Sequence, residues 1–472
     1  MKKNFLLTVF LSLFIMLFIL HSNAEVKLPA VFSDNMVLQQ NTNAAIWGKA
    51  SPDKIITVTT SWNNKKYNVR SDNNGKFRLK VQTPKAGGPY EITFFDGEIL
   101  TLHDVLIGEV WFCSGQSNME IPVKGYFNQP ILNSNEVIAN SENSSIRLFF
   151  VNHNKTLSPM DDFTKGEKWE KCIPENVANF SATAYFFGMT LQKILGVPVG
   201  LIDASWGGTR IEPWFSTSGI QKFNFVNIPD NKMGKEFSKQ TPIAIYNAMV
   251  HPLLGYAMKG VIWYQGESNR REPDHYKDLM VGLIKDWRQK WNIGDFPFYF
   301  AQIAPYSYKE VNSSFLREAQ LKASKVLPNT GMVCLMDIGE KYCIHPSHKK
   351  ITGERFAWLA LSKTYGMKGI AAEGPTLKDI IINGNEVNLS FNNAPNGLTS
   401  FGKELKNFKV AGEDRKFHTA KAKITRHGIT LSYPGIEKIV AVRYAFEDFV
   451  VGDLFNTYGL PASSFRTDNW DK

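Results

Sequence analysis

Apolar and polar residues follow three different patterns along the chain. In the first part, short runs alternate strictly between apolar and polar positions, with turn-forming residues such as Asn73-Asn74-Gly75 between them. Alternation of this kind predicts β-strands with one side facing a core. The runs are residues 55–60, 76–81 and 90–95. We therefore predict an N-terminal domain over residues 25–103, with a β-sandwich or jelly-roll architecture.

From residue 104 the pattern changes to apolar strands that alternate with amphipathic helices. The predicted strands are residues 105–113, 198–203 and 296–302, and the predicted helices are residues 182–195, 276–290 and 349–363. Gly196, followed by Val-Pro, is a helix-stop signal. Strand–helix alternation predicts an α/β domain over residues 104–370, with a parallel sheet and helices on both of its faces.

Strands return in the last part of the chain. The clearest are residues 386–390, 429–432 and 439–443. They predict a C-terminal β-region over residues 371–472.

The N-terminus has the pattern of a secretory signal peptide. Lys2 and Lys3 precede an apolar run over residues 5–20, and small residues lead to Ala24. We expect residues 1–24 to be removed and the protein to be exported, to the periplasm or beyond the cell. The run is short for a membrane span, so we expect no stable membrane insertion after cleavage. An uncleaved anchor is the alternative.

Composition narrows the possible partners. The 472 residues carry a formal charge of +10, or +8 without Lys2 and Lys3, and 43% of them are apolar, enough for two or three packed domains. The lysines are dispersed and form no basic block, so no nucleic-acid partner is expected. The excess charge indicates either a solvated surface or a preference for an anionic substrate. The oligomeric state cannot be predicted.

The cysteines do not indicate a metal site. Cys113, Cys172, Cys334 and Cys343 form no C-x-x-C pair and no cluster with histidines. Export would permit disulfides, and their pairing is left open. Cys113 and Cys334 lie in apolar strand-like runs, where buried free thiols are expected.

The strand over residues 105–113 leads directly into Ser114-Gly-Gln-Ser117-Asn. A serine on a tight turn at the carboxyl end of a strand is where α/β hydrolytic folds hold a nucleophile. Ser117 is the candidate and Ser114 the rival. Both serines could instead simply form the turn.

Two further segments have the same pattern of an apolar strand that leads into a polar loop, and a third segment, later in the chain, contains a histidine. They are residues 202–214 (IDASWGGTRIEPW), 260–269 (GVIWYQGESN) and 343–346 (CIHP). Together with residues 28–40 and 459–468, they closely resemble the sialate O-acetylesterase family of the SGNH hydrolase superfamily. The resemblance covers nearly the whole mature chain. It implies an SGNH-type sheet flanked by β-modules, and a reaction without metal or organic cofactor.

The resemblance also implies roles for individual residues. His345 would be the general base, with His348 as the competing candidate. The oxyanion would be held by the backbone N–H of Ser117, by that of Gly207 and by the side-chain amide of Gln265. Gly208 is the alternative glycine. Gln265 could instead belong to a buried polar network.

The chain departs from the superfamily pattern at the acidic residue that orients the catalytic histidine. Superfamily members usually carry an aspartate two or three residues before the catalytic histidine, where this chain has Cys343 and Tyr342. Three hypotheses follow. Asp337 or Glu340 could turn towards the histidine, Glu267 could serve from another loop, or a Ser–His dyad could work with a backbone carbonyl holding the ring. Glu267 could also belong to a buried polar network.

Trp206, Arg210 and Trp214 surround the Gly-Gly loop and are candidate substrate-binding residues. Aromatic faces pack on sugar rings, and an arginine fork can pair with a carboxylate such as that of a sialic acid. The alternative for Arg210 is a structural salt bridge with Glu212.

These features predict an exported serine esterase that removes O-acetyl groups from carbohydrates, in particular from O-acetylated sialic acids. An acetylxylan-type polysaccharide deacetylase is one alternative. A glycan-binding pseudoenzyme with weakened catalysis is another, because the usual acid is missing. A general lipase-like esterase is disfavoured by the polar, tryptophan-rich loops.

Overall fold

The structure is a computed structural model that describes residues 26–229 and 237–470. The predicted signal peptide, residues 1–24, lies outside the described residues. Within the two described ranges, no helix is long and apolar enough to cross a membrane.

The first described part of the chain folds into short strands. They are β1 (Val37–Gln39), β2 (Asn43–Lys49), β3 (Ile55–Thr60), β4 (Lys65–Arg70), β5 (Lys76–Gln82) and β6 (Gly87–Phe95). β2 pairs antiparallel with β5, and β3 pairs antiparallel with β4 and β6. Ile46 of β2 and Val58 of β3 belong to one buried cluster, so the two small sheets share a core. The predicted strands are confirmed, while the limits of a separate domain stay a prediction.

One long strand, β7 (Ile99–Gly115), joins this region to the central sheet. Its first half pairs antiparallel with β6, and its second half runs parallel to two central strands. Residues 105–115 are all buried. A parallel strand covered on both faces is expected to be mostly apolar, and the sequence there is apolar up to its final Ser-Gly except for Glu109, whose carboxylate accepts from Gln40 and Tyr365.

The central sheet is mixed, with a parallel centre. Its remaining strands are β8 (Asn143–Phe150), β9 (Trp169–Cys172), β10 (Val199–Ser205), β11 (Gly260–Tyr264), β12 (Phe298–Ala301) and β13 (Thr330–Val333). Their order is β13-β12-β11-β7-β10-β8-β9, and β9 is antiparallel to β8. β7 therefore lies in the middle, between β10 and β11, whose carboxyl ends lie beside its own.

The α-helices of the described residues are α1 (Ser117–Glu120), α2 (Ser134–Ala139), α3 (Pro174–Asn179), α4 (Ala182–Leu195), α5 (Thr217–Ile220), α6 (Pro273–Trp291), α7 (Ser314–Ala323) and α8 (Lys349–Lys363). Single-turn helical segments occur at Glu212–Trp214, Tyr246–Val250, His251–Leu253 and Glu267–Asn269. The predictions for α4 and α8 are confirmed to the residue, and α6 is slightly longer than predicted. The Ser181 hydroxyl caps α4, which ends at the left-handed Gly196.

Alternation along β7 places its side chains in two different cores. Trp111 and Cys113 pack in the cluster that contains α4 and α8. Val110 and Phe112 pack in the cluster that contains α6. Helices therefore cover both faces of the sheet, as the strand–helix alternation predicts.

The C-terminal part forms antiparallel sheets with a core of their own. The strands are β14 (Thr376–Asn383), β15 (Glu386–Asn392), β16 (Leu398–Thr399), β17 (Phe408–Ala411), β18 (Phe417–Thr419), β19 (Lys421–Thr425), β20 (Gly428–Ser432), β21 (Ala441–Tyr444), β22 (Phe455–Asn456) and β23 (Phe465–Arg466). Four-stranded sheets have the orders β14-β15-β20-β19 and β18-β17-β21-β23. Leu389, Phe408 and Tyr444 lie in one buried cluster. The predicted C-terminal strands are thus confirmed.

The cysteines are free thiols. Cys113, Cys172 and Cys334 are buried, and Cys343 is half-buried. The expectation of buried free thiols at Cys113 and Cys334 is confirmed.

Candidate active site

Ser117 lies at the carboxyl edge of the central sheet, at the first residue of α1. The preceding Gly115 has φ +139°, and a Cβ there would lie 2.2 Å from the backbone oxygen of Tyr264. Only glycine fits so close to the neighbouring strand. Ser117 is half-buried, whereas Ser114 is fully buried and donates its hydroxyl to the backbone oxygen of Ala204 at 2.6 Å. Ser114 therefore has a structural bond, and Ser117 is the accessible hydroxyl.

Gly207, the predicted oxyanion donor, lies beside Ser117. A Cβ at Gly207 would come within 3.2 Å of the Ser117 Cβ. The backbone N–H of Gly207, however, donates to the carboxylate of Glu120. Glu120 also lies 3.0 Å from Nε2 of His153. Gly207 thus lies beside the candidate nucleophile, but its N–H has a carboxylate as its partner.

Gln265 has no free donor for an oxyanion. It is fully buried, and its amide nitrogen donates to the backbone oxygen of Thr209 at 3.1 Å and to Oδ1 of Asn269 at 2.8 Å. Its Oε1 accepts from the Tyr276 hydroxyl at 2.8 Å. A primary amide has two N–H groups, and both are used. Gln265 therefore lies in a buried polar network, which was the alternative to its predicted role as an oxyanion donor.

Glu267 belongs to a buried network directly behind Ser117. Its Oε1 accepts from the side-chain amide of Asn118 at 2.6 Å, and Oδ1 of Asn118 accepts from the ammonium of Lys349. Burial raises the pKa of Glu267 and lowers the pKa of Lys349 to about 7. Asn118 also donates to the backbone oxygen of Ile344 at 3.0 Å. The residue after Ser117 thus contacts the residue before His345.

The partner of the His345 ring is Gln129. Nδ1 of His345 lies 2.9 Å from Oε1 of Gln129, and the ring packs edge-on against Tyr126. Burial, together with the nearby positive charge of Lys349, lowers the pKa of His345 to about 4. His348, the competing candidate, is exposed immediately before α8.

The carboxylates considered for His345 bind other partners. Glu340 accepts from the backbone N–H and the hydroxyl of Ser347, both at 2.7 Å. Asp337 forms a bidentate pair with Arg355 at 2.7 and 2.6 Å. Glu267 accepts a hydrogen bond from Asn118. Gln129 is not predictable from the sequence, because it lies 216 positions from His345 and no local pattern marks it.

The three candidate substrate-binding residues have different surroundings. Arg210 is paired with both Glu212 and Glu272. These contacts match the alternative of a structural salt bridge and not the predicted pairing with a substrate carboxylate. Trp214 is fully buried and donates to Thr209, so its ring has no face for a sugar. This buried position corrects the expected role of Trp214.

Trp206 is half-buried beside Gly207 and is the accessible aromatic residue of the three. Its ring stacks on His153 with centroids 4.6 Å apart and an interplanar angle of 6°. The ammonium of Lys239 lies 5.9 Å from the Trp206 ring and donates to the backbone oxygen of Gly207 at 2.6 Å. An aromatic ring and a cation thus lie at the Gly207 loop, which adjoins the candidate nucleophile.

A serine at the carboxyl end of the central parallel strand, with a glycine loop and a histidine loop around it, is typical of α/β ester hydrolases. Comparison with known proteins agrees. Residues 107–358 match the family model for carbohydrate esterases described as sialic acid-specific acetylesterases. The chain is 31% identical to mouse sialate O-acetylesterase over 416 residues, which cover 74% of this chain and 76% of that protein. It is 32% identical to the human sialate O-acetylesterase over 391 residues, which cover 74% and 73%.

A solved structure, that of a carbohydrate acetylesterase from Xanthomonas citri, is similar over 94% of this chain and all of that one. The TM-score is 0.87 and the identity 32%. The chain therefore belongs to the sialic acid-specific acetylesterase family of carbohydrate esterases. It is a carboxylic ester hydrolase, and its general activity is that of an esterase for O-acetylated carbohydrates.

Proposed function

We propose that the protein is an exported serine esterase that removes O-acetyl groups from carbohydrates, with O-acetylated sialic acids as its preferred substrates. The position of Ser117 carries this proposal. Ser117 follows the central strand, adjoins Gly207, and precedes Asn118, which contacts the loop that holds His345. The names of the relatives support the choice of sugar.

The reaction has two steps. In the first, the Ser117 hydroxyl attacks the acetyl carbonyl carbon while Nε2 of His345 accepts its proton. His345 then gives this proton to the sugar oxygen as the bond from that oxygen to the acetyl carbon breaks, which leaves an acetyl-serine. In the second step, His345 takes a proton from water as the water oxygen attacks the acetyl carbon. The bond from that carbon to the Ser117 oxygen then breaks, His345 returns its proton to this oxygen, and acetic acid leaves and ionises to acetate.

The oxyanion would be held by the backbone N–H groups of Ser117 and Gly207. Because the Gly207 N–H donates to Glu120, it becomes available only when Glu120 gives up this bond. Gln265 has no N–H left for this role. We therefore assign the donors to the backbone alone.

The sugar would pack on the exposed part of Trp206, and Lys239 would supply positive charge for a sialic acid carboxylate. A neutral acetylated polysaccharide such as acetylxylan is the second candidate substrate. The pairing of Arg210 with two glutamates favours this alternative, because the positive charge predicted to bind the sialic acid carboxylate is already neutralised.

Acetate release from a small activated acetyl ester tests the chemistry. We expect Ser117→Ala to lower kcat by at least about 10³-fold. Ser114→Ala, the same change three residues earlier, serves as the control and should retain activity. Equal turnover by Ser117→Ala and the native chain would refute the assignment of the nucleophile. Glycan binding by a native chain that releases no acetate would favour the pseudoenzyme alternative.

Two further measurements test the finer parts of the proposal. Comparing kcat/KM for O-acetylated sialic acid and for acetylated xylan oligosaccharides decides between the two substrates. Sequencing the N-terminus of the protein recovered from cell fractions tests export. A mature chain that begins at Glu25 outside the cytoplasm is the expected result.

A further inference from the structure

The loop before His345 has a thiol where its superfamily usually has an orienting carboxylate. Sγ of Cys343 lies 3.1 Å from Oε1 of Gln129 and 3.1 Å from the backbone oxygen of His345. A thiol is a weak donor and a weak acceptor, so Cys343 cannot replace a carboxylate as the partner of an imidazole. The ring nitrogen Nδ1 instead contacts Gln129 at 2.9 Å.

The amide oxygen of Gln129 is the atom that faces the histidine. Oε1 of Gln129 lies 2.9 Å from Nδ1 of His345, and an amide oxygen accepts hydrogen bonds but cannot donate. Nδ1 of His345 must then carry the proton. In a neutral imidazole this leaves Nε2 unprotonated, which is the form that can accept a proton from a serine hydroxyl.

The segment that carries Gln129 is fixed against the histidine loop before any substrate arrives. The backbones of Tyr126 and Gln129 exchange two hydrogen bonds of 3.0 Å, and the N–H of Leu132 donates to the backbone oxygen of Ser347 at 3.1 Å. The Tyr126 ring packs against the His345 ring, with centroids 5.8 Å apart. The amide oxygen is thus held at a defined position beside Nδ1.

We propose that Gln129 is the positioning residue of the catalytic histidine, and that its amide oxygen fixes the His345 tautomer in place of the usual carboxylate. This inference rests on the proposed function, in which His345 is the general base. A neutral acceptor orients the ring but does not favour the imidazolium as a carboxylate does. The pH dependence of the reaction therefore differs from that of an acid-containing triad.

The groups around His345 give the direction of that difference. Lys349 on α8 disfavours the charged ring, Glu120 on α1 favours it, and Tyr126 and Cys343 contribute no charge at neutral pH. With burial, the balance lowers the pKa of His345 to about 4. Gln129→Glu would place a carboxylate at Nδ1 and raise this pKa.

Two variants test the inference against a matched control. Gln129→Leu removes the acceptor at similar size and should lower kcat about 10²-fold, with KM changed less than about threefold, because the ring loses its tautomer and orientation. Gln129→Glu keeps the size and the acceptor, and should move the acidic limb of the pH profile of kcat/KM upwards by about 1 to 2 units. Gln192→Leu is the same change at a half-buried amide that bonds Asn143, and should leave both quantities unaltered.

The outcomes separate this inference from the proposed function. If Ser117→Ala and His345→Ala are inactive while Gln129→Leu keeps its kcat within about threefold, the serine esterase stands and the role of Gln129 is refuted. An acidic limb that does not move in Gln129→Glu also refutes it. An active Ser117→Ala or His345→Ala would instead refute the proposed function, whatever the Gln129 variants do.

Discussion

Replacing Asn118 with alanine removes three hydrogen bonds from a site that water barely reaches, since Asn118 is 1% exposed. Its amide nitrogen donates to Glu267 at 2.6 Å and to the backbone oxygen of Ile344 at 3.0 Å, and its Oδ1 accepts from Lys349. A bond to a charged group contributes about 1.5–3 kcal/mol and a neutral bond about 1 kcal/mol. The sum is about 4–7 kcal/mol.

The net loss should be smaller than this sum, because water can enter the space left by the side chain. We expect Asn118→Ala to lower the free energy of unfolding by about 3–5 kcal/mol. The loss should still be large, because Asn118 donates to Oε1 of Glu267 while Oε2 has no partner among the described residues. Without Asn118, a buried carboxyl group whose pKa burial already raises would lose this hydrogen bond. We also expect a lower kcat, because Asn118 ties Ser117 to the loop of His345.

Urea unfolding followed by tryptophan fluorescence measures the change in stability. Asn176→Ala is the matched control. Asn176 also donates to a carboxylate and to a backbone oxygen, those of Glu170 and Lys171, but it lies near the surface. Its loss should be below about 1 kcal/mol. Equal losses in the two variants, or a loss below about 1 kcal/mol in Asn118→Ala, would show that the buried network does not stabilise the site as argued.

Three further predictions concern the strand end, the sugar site and the histidine. Gly115→Ala should lower stability by at least about 3 kcal/mol, because its Cβ would lie 2.2 Å from the Tyr264 oxygen at φ +139°; a loss below about 1 kcal/mol in thermal unfolding would contradict this. Trp206→Ala should lower kcat/KM about 10-fold for O-acetylated sugars and less than about threefold for a small activated ester; equal losses on both would place the ring outside the sugar site. Because the pKa of His345 is near 6.5 unfolded and about 4 folded, the unfolded chain binds more protons between these values, and stability rises with pH there. His345→Gln should remove about 2 kcal/mol of this rise between pH 4 and 6.5, and unfolding curves of equal pH dependence would refute the burial argument.

Local patterns predicted the elements of the fold well. The limits of α4 and α8 follow from helical periodicity and, for α4, from the glycine stop at Gly196. The buried half of β7 is apolar apart from Glu109, and the following Ser-Gly-Gln-Ser turn predicted where Ser117 lies. These features depend on neighbours within a few positions, so the sequence by itself determines them.

The contacts that control the chemistry depended on the tertiary structure. Gln129 and His345 are 216 positions apart, and the bond that links Arg210 to Glu272 spans 62 positions. Neither pairing leaves a trace in local composition or periodicity. A buried side chain bonds whichever group the packed elements place within about 3 Å, so the partners of Gln265, Arg210 and His345 were decided only when the loops at the sheet edge came together.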